Sequence, residues 1–461
     1  MSTINKIINE NQKIHFIGIG GISMSAIANV LLSQGFKVTG SDFKESAMLD
    51  DLRANGAEIF VGHRASNISD DTALVVYTAA IHPDNPELKE AASKGIKTLT
   101  RADFLGMLMK DFGQAICVSG THGKTTTTSL LSQILIDGKT DPTIIVGGIV
   151  PFLNGNLKIG KNDYFLTEAC EYTNSFLSFF PTISIILNVQ ADHMDFFKDL
   201  DDIRNSFRQF AALTDEKGCC IINGEIENLD YIIKDAKAKI ITFGIDGDYT
   251  FTAKNIDYDE DVHPSFDVYK EGSLLGSVSL KIRGTHNVSN ALSAIACADA
   301  LGIPFETTKE ACAKFEGVER RFDVLGKLGG ATVVDDYAHH PDEIKATLKT
   351  ALDFPHKKLY VVFQPHTYSR TKAFLDEFAE SLSLADCVVL TDIYAAREKN
   401  DGSVSSDDIR QRIERLGTEC YYLPSFGEAE DFLLENLLPD DLLITMGAGD
   451  VVNIGKNLLG K

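Results

Sequence analysis

Short apolar, β-branched runs alternate with amphipathic stretches along the N-terminal part of the chain: IHFIGI (14–19), KVTGSD (37–42), EIFV (58–61) and ALVVYT (73–78). That alternation predicts βαβ units and a parallel sheet, because a helix must return the chain to the start of each new strand. After Gly20-Gly21, residues Met24, Ile27, Ala28 and Leu31 recur at helical spacing, and Gly35 is placed to end the helix. The glycines therefore sit on a strand-to-helix turn. A second pattern begins near Gln114 with AICVSG (115–120), TIIVGG (143–148), YFLTEA (164–169) and TISIILNV (182–189), runs apolar enough for strands covered on both faces. A third comprises ATVVDDY (331–337), KLYVVFQP (358–365), CVVLTD (387–392), ECYYLP (419–424) and LLITMGAGD (442–450).

Between Tyr249 and Gly284 the texture changes to alternating segments around IDYDEDVHPSF, with Glu271-Gly272 ahead of SLLGSVSLKI. This predicts an antiparallel hairpin patch on the second domain. Boundaries near 108 and 324 divide the chain into domains 1–108, 109–323 and 324–461, in keeping with its 461 residues.

Composition is that of a globular protein, 44% hydrophobic and 24% charged. Forty-four Lys+Arg against 66 Asp+Glu give a net charge of −22, which repels phosphate backbones and anionic lipid surfaces. Nucleic acid and membrane are poor partners on that ground, although a local positive pocket can still hold a small anion. No stretch approaches the roughly 18 continuous apolar residues of a membrane span, and MSTINKIINENQ lacks a leader pattern, so a cytoplasmic protein is expected. The eight cysteines are scattered, without a CxxC pair, and read as reduced core residues.

The strongest local signal is GTHGKTTTTS (120–129), after an apolar strand and before a helical pattern. Backbone N–H groups of such a loop surround triphosphate oxygens, Lys124 neutralises them, and the Thr125 hydroxyl reaches Mg2+. Val118 stands where the full eight-residue pattern would have Gly, so the loop is a shortened variant. The N-terminal turn Gly18-Ile19-Gly20-Gly21, with Asp42 where a ribose-binding acid would sit, reads equally as a nucleotide site or as a packed turn. Glu168 and Glu171 close one apolar strand, and Asn188, Asp192, His193 and Asp195 close another. Carboxylates at such strand ends, beside a phosphate loop, are placed to hold Mg2+. Further polar clusters lie in GTHNVSNA (284–291), GVERRFD (317–323), DDYAHHP (335–341) and FQPHTYSRT (363–371).

In this order the clusters resemble the Mur ligases, ATP-dependent amide-forming enzymes of peptidoglycan precursor synthesis, over essentially the whole chain. The resemblance implies an α/β protein of three domains: an N-terminal Rossmann-like parallel sheet for a UDP-sugar, a central P-loop-type ATPase domain with an antiparallel patch, and a C-terminal Rossmann-like domain that helps bind the amino acid and closes over the site. HFIGIGG (15–21) with GTHGKTTTTS and DDYAHHP most resembles the member that adds L-alanine to UDP-N-acetylmuramate. It implies ATP phosphates on Gly120, Thr121, His122, Gly123, Lys124, Thr125 and Thr126, and Mg2+ on Thr125, Glu171 and His193. His286, Asn287 and Asn290 match its adenine-contacting segment, and Arg321 with Asp336 its further contacts to the nucleotide. Tyr337, His339 and Arg370 match positions near the incoming amino acid, where a guanidinium suits an α-carboxylate. Gly18, Gly20, Gly21 and Asp42 fall in the UDP-sugar domain. Lys124, Glu171, His193, His339 and Arg370 are the expected catalytic set.

Departures are visible. Relatives often carry EADES where this chain has Glu168-Ala169-Cys170-Glu171-Tyr172, and Thr367 stands where Arg is frequent. Where several Mur ligases use a carbamoylated Lys, this chain reads Ser206-Phe207-Arg208-Gln209, and no such modification is expected. The chemistry implied is transfer of the γ-phosphoryl group of ATP to the lactyl carboxylate, then attack by the alanine amine on the acyl phosphate. Rival readings are a recycling ligase that attaches a tripeptide to the same UDP-sugar, a more distant folylpolyglutamate synthase-like enzyme, a P-loop nucleotide-binding protein without ligase activity, and a nicotinamide dehydrogenase. Oligomeric state is not legible in the residues.

Overall fold

The structure, a computed structural model, describes all residues except 1–3, 5–7, 9–11, 162, 195 and 397. It forms two compact units: residues 1–189, 204–243 and 293–308 make the first, and 190–203, 244–292 and 309–461 the second.

The first unit begins with strands β1 (Lys13–Ile17), β2 (Lys37–Asp42), β3 (Glu58–Val61), β4 (Thr72–Tyr77) and β5 (Lys97–Thr100), all parallel, in the order β3-β2-β1-β4-β5. Strand β1 is central, and its Ile14, Phe16 and Ile17 are fully buried. The chain leaves β1 toward β2 on one side and later fills β4 on the other. That reversal opens a crevice at the carboxyl ends of the strands, where open α/β sheets take ligands. The helix Ile22–Ser33 starts there, capped by Gly21, and Gly35 follows it at φ 86°.

The same unit carries β6 (Gln114–Ser119), β7 (Thr143–Val150), β8 (Gly155–Lys158), β9 (Tyr164–Glu168), β10 (Ile183–Ile186), β11 (Cys219–Asn223) and β12 (Lys239–Ile245), ordered β12-β11-β10-β6-β9-β7-β8. Only β7 and β8 pair antiparallel among these. Ile116, Cys117 and Val118 of β6 are fully buried, as a strand covered on both faces must be. The helix Lys124–Asp137 leaves the carboxyl end of β6 after four residues, Gly120 to Gly123. This is the strand-loop-helix geometry expected of GTHGKTTTTS.

In the second unit β13 (Phe251–Tyr258), β14 (Pro264–Lys270) and β15 (Ser273–Ser279) form the expected antiparallel patch. Glu271 and Gly272, at φ 49° and 78°, make the two-residue turn between β14 and β15, both in the left-handed region that matches hairpin twist. The remaining strands are β16 (Asp323–Leu328), β17 (Ala331–Asp336), β18 (Leu359–Phe363), β19 (Cys387–Leu390), β20 (Glu419–Tyr422) and β21 (Leu442–Met446), in the order β16-β17-β21-β18-β19-β20. All pair in parallel except β16 with β17. Every residue of β18 and β21 is buried, one set packing against Ile344, Leu348, Phe378 and Ile409, the other against Ala429, Leu433 and Ile454. Helices therefore cover both faces of this sheet. Among the described residues no helix is long and apolar enough to cross a membrane.

Candidate active site

In the first unit the loop between β6 and the helix Lys124–Asp137 is built by glycine and clamped by one asparagine. Gly120 sits at φ 140°, and a Cβ there would lie 2.9 Å from Leu187 Cβ and 3.2 Å from Asn188 N. Gly123, at φ 84°, caps the following helix without a side chain, leaving its first amides facing the loop. His122 N donates to Asn188 Oδ1 at 2.8 Å, Asn188 Nδ2 donates to His122 O at 3.0 Å, and Thr121 N donates to Asn188 O at 3.3 Å. Asn188, two residues beyond the end of β10, thus holds the loop. Asn188→Ala should raise KM for ATP about tenfold and lower stability by about 1–2 kcal/mol, since two hydrogen bonds to backbone are lost. A kinetic titration of ATP with a thermal melt checks both.

Lys124 reaches back over the loop. Its Nζ donates to Gly120 O, to Thr121 O at 3.1 Å and to Glu171 Oε2 at 3.0 Å. Glu171 is 2% exposed. Burial opposes the Lys124 charge, but the Glu171 carboxylate overrides it and holds the ammonium above the ordinary lysine range. The cation is thus set in the glycine-lined cradle. Thr125 and Thr126 follow it in the first helical turn. Glu168 is occupied differently: its Oε1 accepts from Gly147 N at 2.7 Å. Burial pushes the neighbouring Cys170 thiol up to about 11, with Glu171 adding to the shift. The other seven cysteines are buried, and all eight are free thiols.

At the N-terminal sheet, Asp42 Oδ2 accepts from Gly20 N at 2.8 Å and Oδ1 from Phe43 N at 2.7 Å. Gly18 is left-handed, φ 80°, and a Cβ there would meet Thr78 at 2.7 Å. The turn and its acid are therefore one hydrogen-bonded piece.

In the second unit the polar clusters fall into two groups. Asn290 Nδ2 donates to Asn287 Oδ1 at 2.9 Å, and Asn287 Nδ2 to Arg283 O at 2.7 Å, beside His286. Arg321 acts electrostatically on both His286 and Asp336. Buried Asp336 accepts from Phe322 N and Ala338 N, each at 2.8 Å, which ties the GVERRFD segment to the end of β17. Burial pushes its carboxyl up to about 6, with Arg321 opposing. Arg320, the neighbour that sequence reasoning passed over, donates to Asp335 Oδ2 at 2.9 Å and to the carbonyls of Gly447 and Gly449. It joins β17 to the loop after β21, while Arg321 stands 5.3 Å from the Tyr337 ring centre.

The other group gathers around Arg370. Its Nη2 lies 3.4 Å from Asp192 Oδ1, and Nη1 lies 3.4 Å from His366 Nδ1. The His366 ring contacts that of His339, which in turn contacts that of Tyr337. His193, at φ 53°, donates its N–H to Asp192 Oδ1 at 2.6 Å, and its Nε2 stands 3.6 Å from Asp192 Oδ2. Burial works against the Asp192 charge, but His193, Arg370 and His340 around it hold the carboxyl down to about 2. Asp195 lies outside the described residues.

Burial pushes the His339 imidazole down to about 4, against the attraction of Glu343. Its folded value lies below its unfolded one, so protons bind the unfolded chain preferentially, and this group costs stability as pH falls from about 6.5 to about 4. Asp336, raised in the fold, works in the opposite sense over part of that window. The difference between wild type and His339→Gln isolates the histidine: the variant should lose less stability between those pH values in paired denaturant titrations.

The residues fit a nucleotide: a cradle that admits no Cβ at Gly120, helix N-terminal amides, and a cation set within it. The oxygen donors of Thr125 and Glu171 suit a hard divalent cation.

Comparison with known proteins agrees with this architecture. The Mur ligase family catalytic domain matches residues 13–113, the Mur ligase middle domain 118–298, and the Mur ligase glutamate ligase domain 320–449. The chain is 54% identical over 448 residues to a UDP-N-acetylmuramate--L-alanine ligase of Agathobacter rectalis, covering 97% of this chain and 98% of that one. It is 50% identical over 452 residues to the enzyme of the same name from Clostridium acetobutylicum, covering 98% of each. The crystal structure of a UDP-N-acetylmuramate-alanine ligase from Thermotoga maritima superposes with a TM-score of 0.81 at 32% identity, over 97% of this chain and 98% of that one. With all three domain families matched in order along its length, the chain belongs to the Mur ligase family.

Proposed function

We propose that this chain joins L-alanine to the lactyl carboxylate of UDP-N-acetylmuramate, converting ATP to ADP and phosphate, a step of peptidoglycan precursor synthesis in the cytoplasm that serves cell shape and division. The observation that carries the reading is a glycine-lined loop holding Lys124 against buried Glu171, in a chain 54% identical to an alanine ligase along nearly its whole length.

A carboxylate is a poor electrophile, so amide formation needs an activated acyl group. In this reading Gly120 to Thr126 cradle the ATP phosphates, and Lys124 stabilises the charge that develops as the γ-phosphoryl group passes to the lactyl oxygen. Mg2+ on Thr125, Glu171 and His193 would supply further neutralisation there. His286, Asn287, Asn290, Arg321 and Asp336 hold the nucleoside end of ATP, and Gly18, Gly20, Gly21 and Asp42 the UDP-sugar. Arg370 takes the α-carboxylate of L-alanine, with Tyr337 beside it. His339, matched to the same amino-acid region, lies against Tyr337 there, and the alanine nitrogen attacks the acyl carbon as the free amine, its ammonium proton having gone to solvent, with phosphate leaving. The acyl phosphate hydrolyses if water reaches it, so the reaction calls for a site that excludes solvent. Domain boundaries near 108 and 324 belong to the same reading.

The test is phosphate release from ATP with UDP-N-acetylmuramate, with L-alanine or with a tripeptide as the amine. Alanine-dependent release supports the proposal; release only with the tripeptide makes the chain a recycling ligase, and release independent of any amine makes it an ATPase.

A further inference from the structure

Arg101 opens the helix Arg101–Met109 in the first unit, and its position is fixed by more than one device. Thr100 caps the helix, its Oγ1 accepting from Asp103 N at 3.1 Å. Ser178 Oγ donates to Asp103 Oδ1 at 2.7 Å, and Gly106 packs so closely that a Cβ there would lie 1.9 Å from Ser178 O. A helix seated in this way cannot slide. It presents the partly buried Arg101 guanidinium, whose Nη1 donates to Ser23 Oγ at 3.1 Å, in the first turn of the helix that follows the glycine turn.

What is missing is a counter-ion. Cations taken from water are normally paired, because an uncompensated buried charge is costly. Arg101 carries five N–H donors. Among the described residues its hydrogen bond to Ser23 is the one it makes, and no carboxylate lies at ion-pair distance. Burial lowers its pKa below the ordinary guanidinium range, with Cys170 and Glu168 acting on it only at a distance. Glu168 accepts from Gly147, and Glu171 is taken by Lys124. Glu168, at the carboxyl end of β9, also acts on Lys124, so both cations feel one carboxylate that neither holds in an ion pair.

We propose that Arg101 is a substrate-binding residue, the counter-ion of an anionic group of the UDP-sugar, either its pyrophosphate or its lactyl carboxylate. This rests on the function proposed above. Arg101 touches the helix that follows the glycine turn and shares with Lys124 of the 120–126 loop the field of Glu168, and a UDP-sugar held at the turn carries a pyrophosphate and, toward the loop, a lactyl carboxylate. A guanidinium is suited to either, since both accept paired N–H donors.

The experiment uses the intact chain and two variants, R101M and R101K, with calorimetric titration of UDP-N-acetylmuramate and of UDP-N-acetylglucosamine, which lacks the lactyl acid. R101M should weaken UDP-N-acetylmuramate about tenfold to a hundredfold, the range for hydrogen bonds to a charged group, and R101K should recover part of the loss. KM for ATP should stay put. The ligand-free R101M protein should melt at the same temperature as wild type or higher, because the variant removes an uncompensated charge, a shift opposite to that of a structural arginine. A loss confined to UDP-N-acetylmuramate identifies the lactyl carboxylate as the partner; an equal loss for both sugars identifies the pyrophosphate. Unchanged affinity for both in R101M overturns the assignment, as does a lower melting temperature with sugar and ATP affinity falling together. If wild type itself binds neither sugar, the functional reading falls and takes the assignment with it.

Discussion

Lys124→Ala is expected to cut phosphate release from ATP in the presence of UDP-N-acetylmuramate and L-alanine by about 10³-fold or more. The estimate follows from the residue's place. A single preorganised cation or donor at a transferring phosphoryl or oxyanion commonly contributes two to five orders of magnitude, roughly, when it acts in a site closed to water. Lys124 is set for that task, held by two loop carbonyls and Glu171. The same substitution leaves Glu171, 2% exposed, without its cation, which should cost about 3 kcal/mol. The two effects separate in the double variant K124M/E171Q, which removes both charges: stability should return toward wild type while turnover does not. Undiminished turnover in the alanine variant would remove the phosphate site from this loop.

Arg370→Ala should raise KM for L-alanine about tenfold to a hundredfold, the range for a charge-assisted hydrogen bond to a carboxylate, with KM for ATP and the UDP-sugar little changed. Arg370→Lys should not restore it fully, because an ammonium cannot offer two parallel N–H groups. Asp192 complicates the stability of this variant, since its carboxyl, held down to about 2 partly by Arg370, would keep its charge with fewer partners. Steady-state kinetics with each substrate varied in turn, beside a melt, resolve the two. A rise in KM for ATP instead would place Arg370 on the nucleotide.

These expectations draw on features unequally legible in the sequence. The phosphate loop was plain, because a glycine-rich turn between an apolar strand and a helical pattern has few other uses, and the Glu271-Gly272 hairpin was plain for a similar local reason. Buried central strands such as β6, β18 and β21 announce themselves by unbroken apolar runs. Two edge strands do not: β16, DVLGKL, and β8, GNLK, have no buried residue, so neither carries a hydrophobic signature. The role of Asn188 is not legible, because its partners, the amide and carbonyl of His122, lie 66 positions away along the chain. Arg320 and Arg321 are chemically identical neighbours, and only the fold decides that the first stitches β17 to the loop after β21. Arg101 carries no motif at all; its interest arises from what does not surround it.

Cys170 is adjacent in sequence to Glu171, the partner of Lys124, and invites electrophilic warheads. Burial and the adjacent Glu171 push its thiol up to about 11, which disfavours the reactive thiolate at neutral pH. Acrylamides and mild oxidants should therefore pass this cysteine by, and compounds directed at the loop will have to win their residence time through reversible contacts.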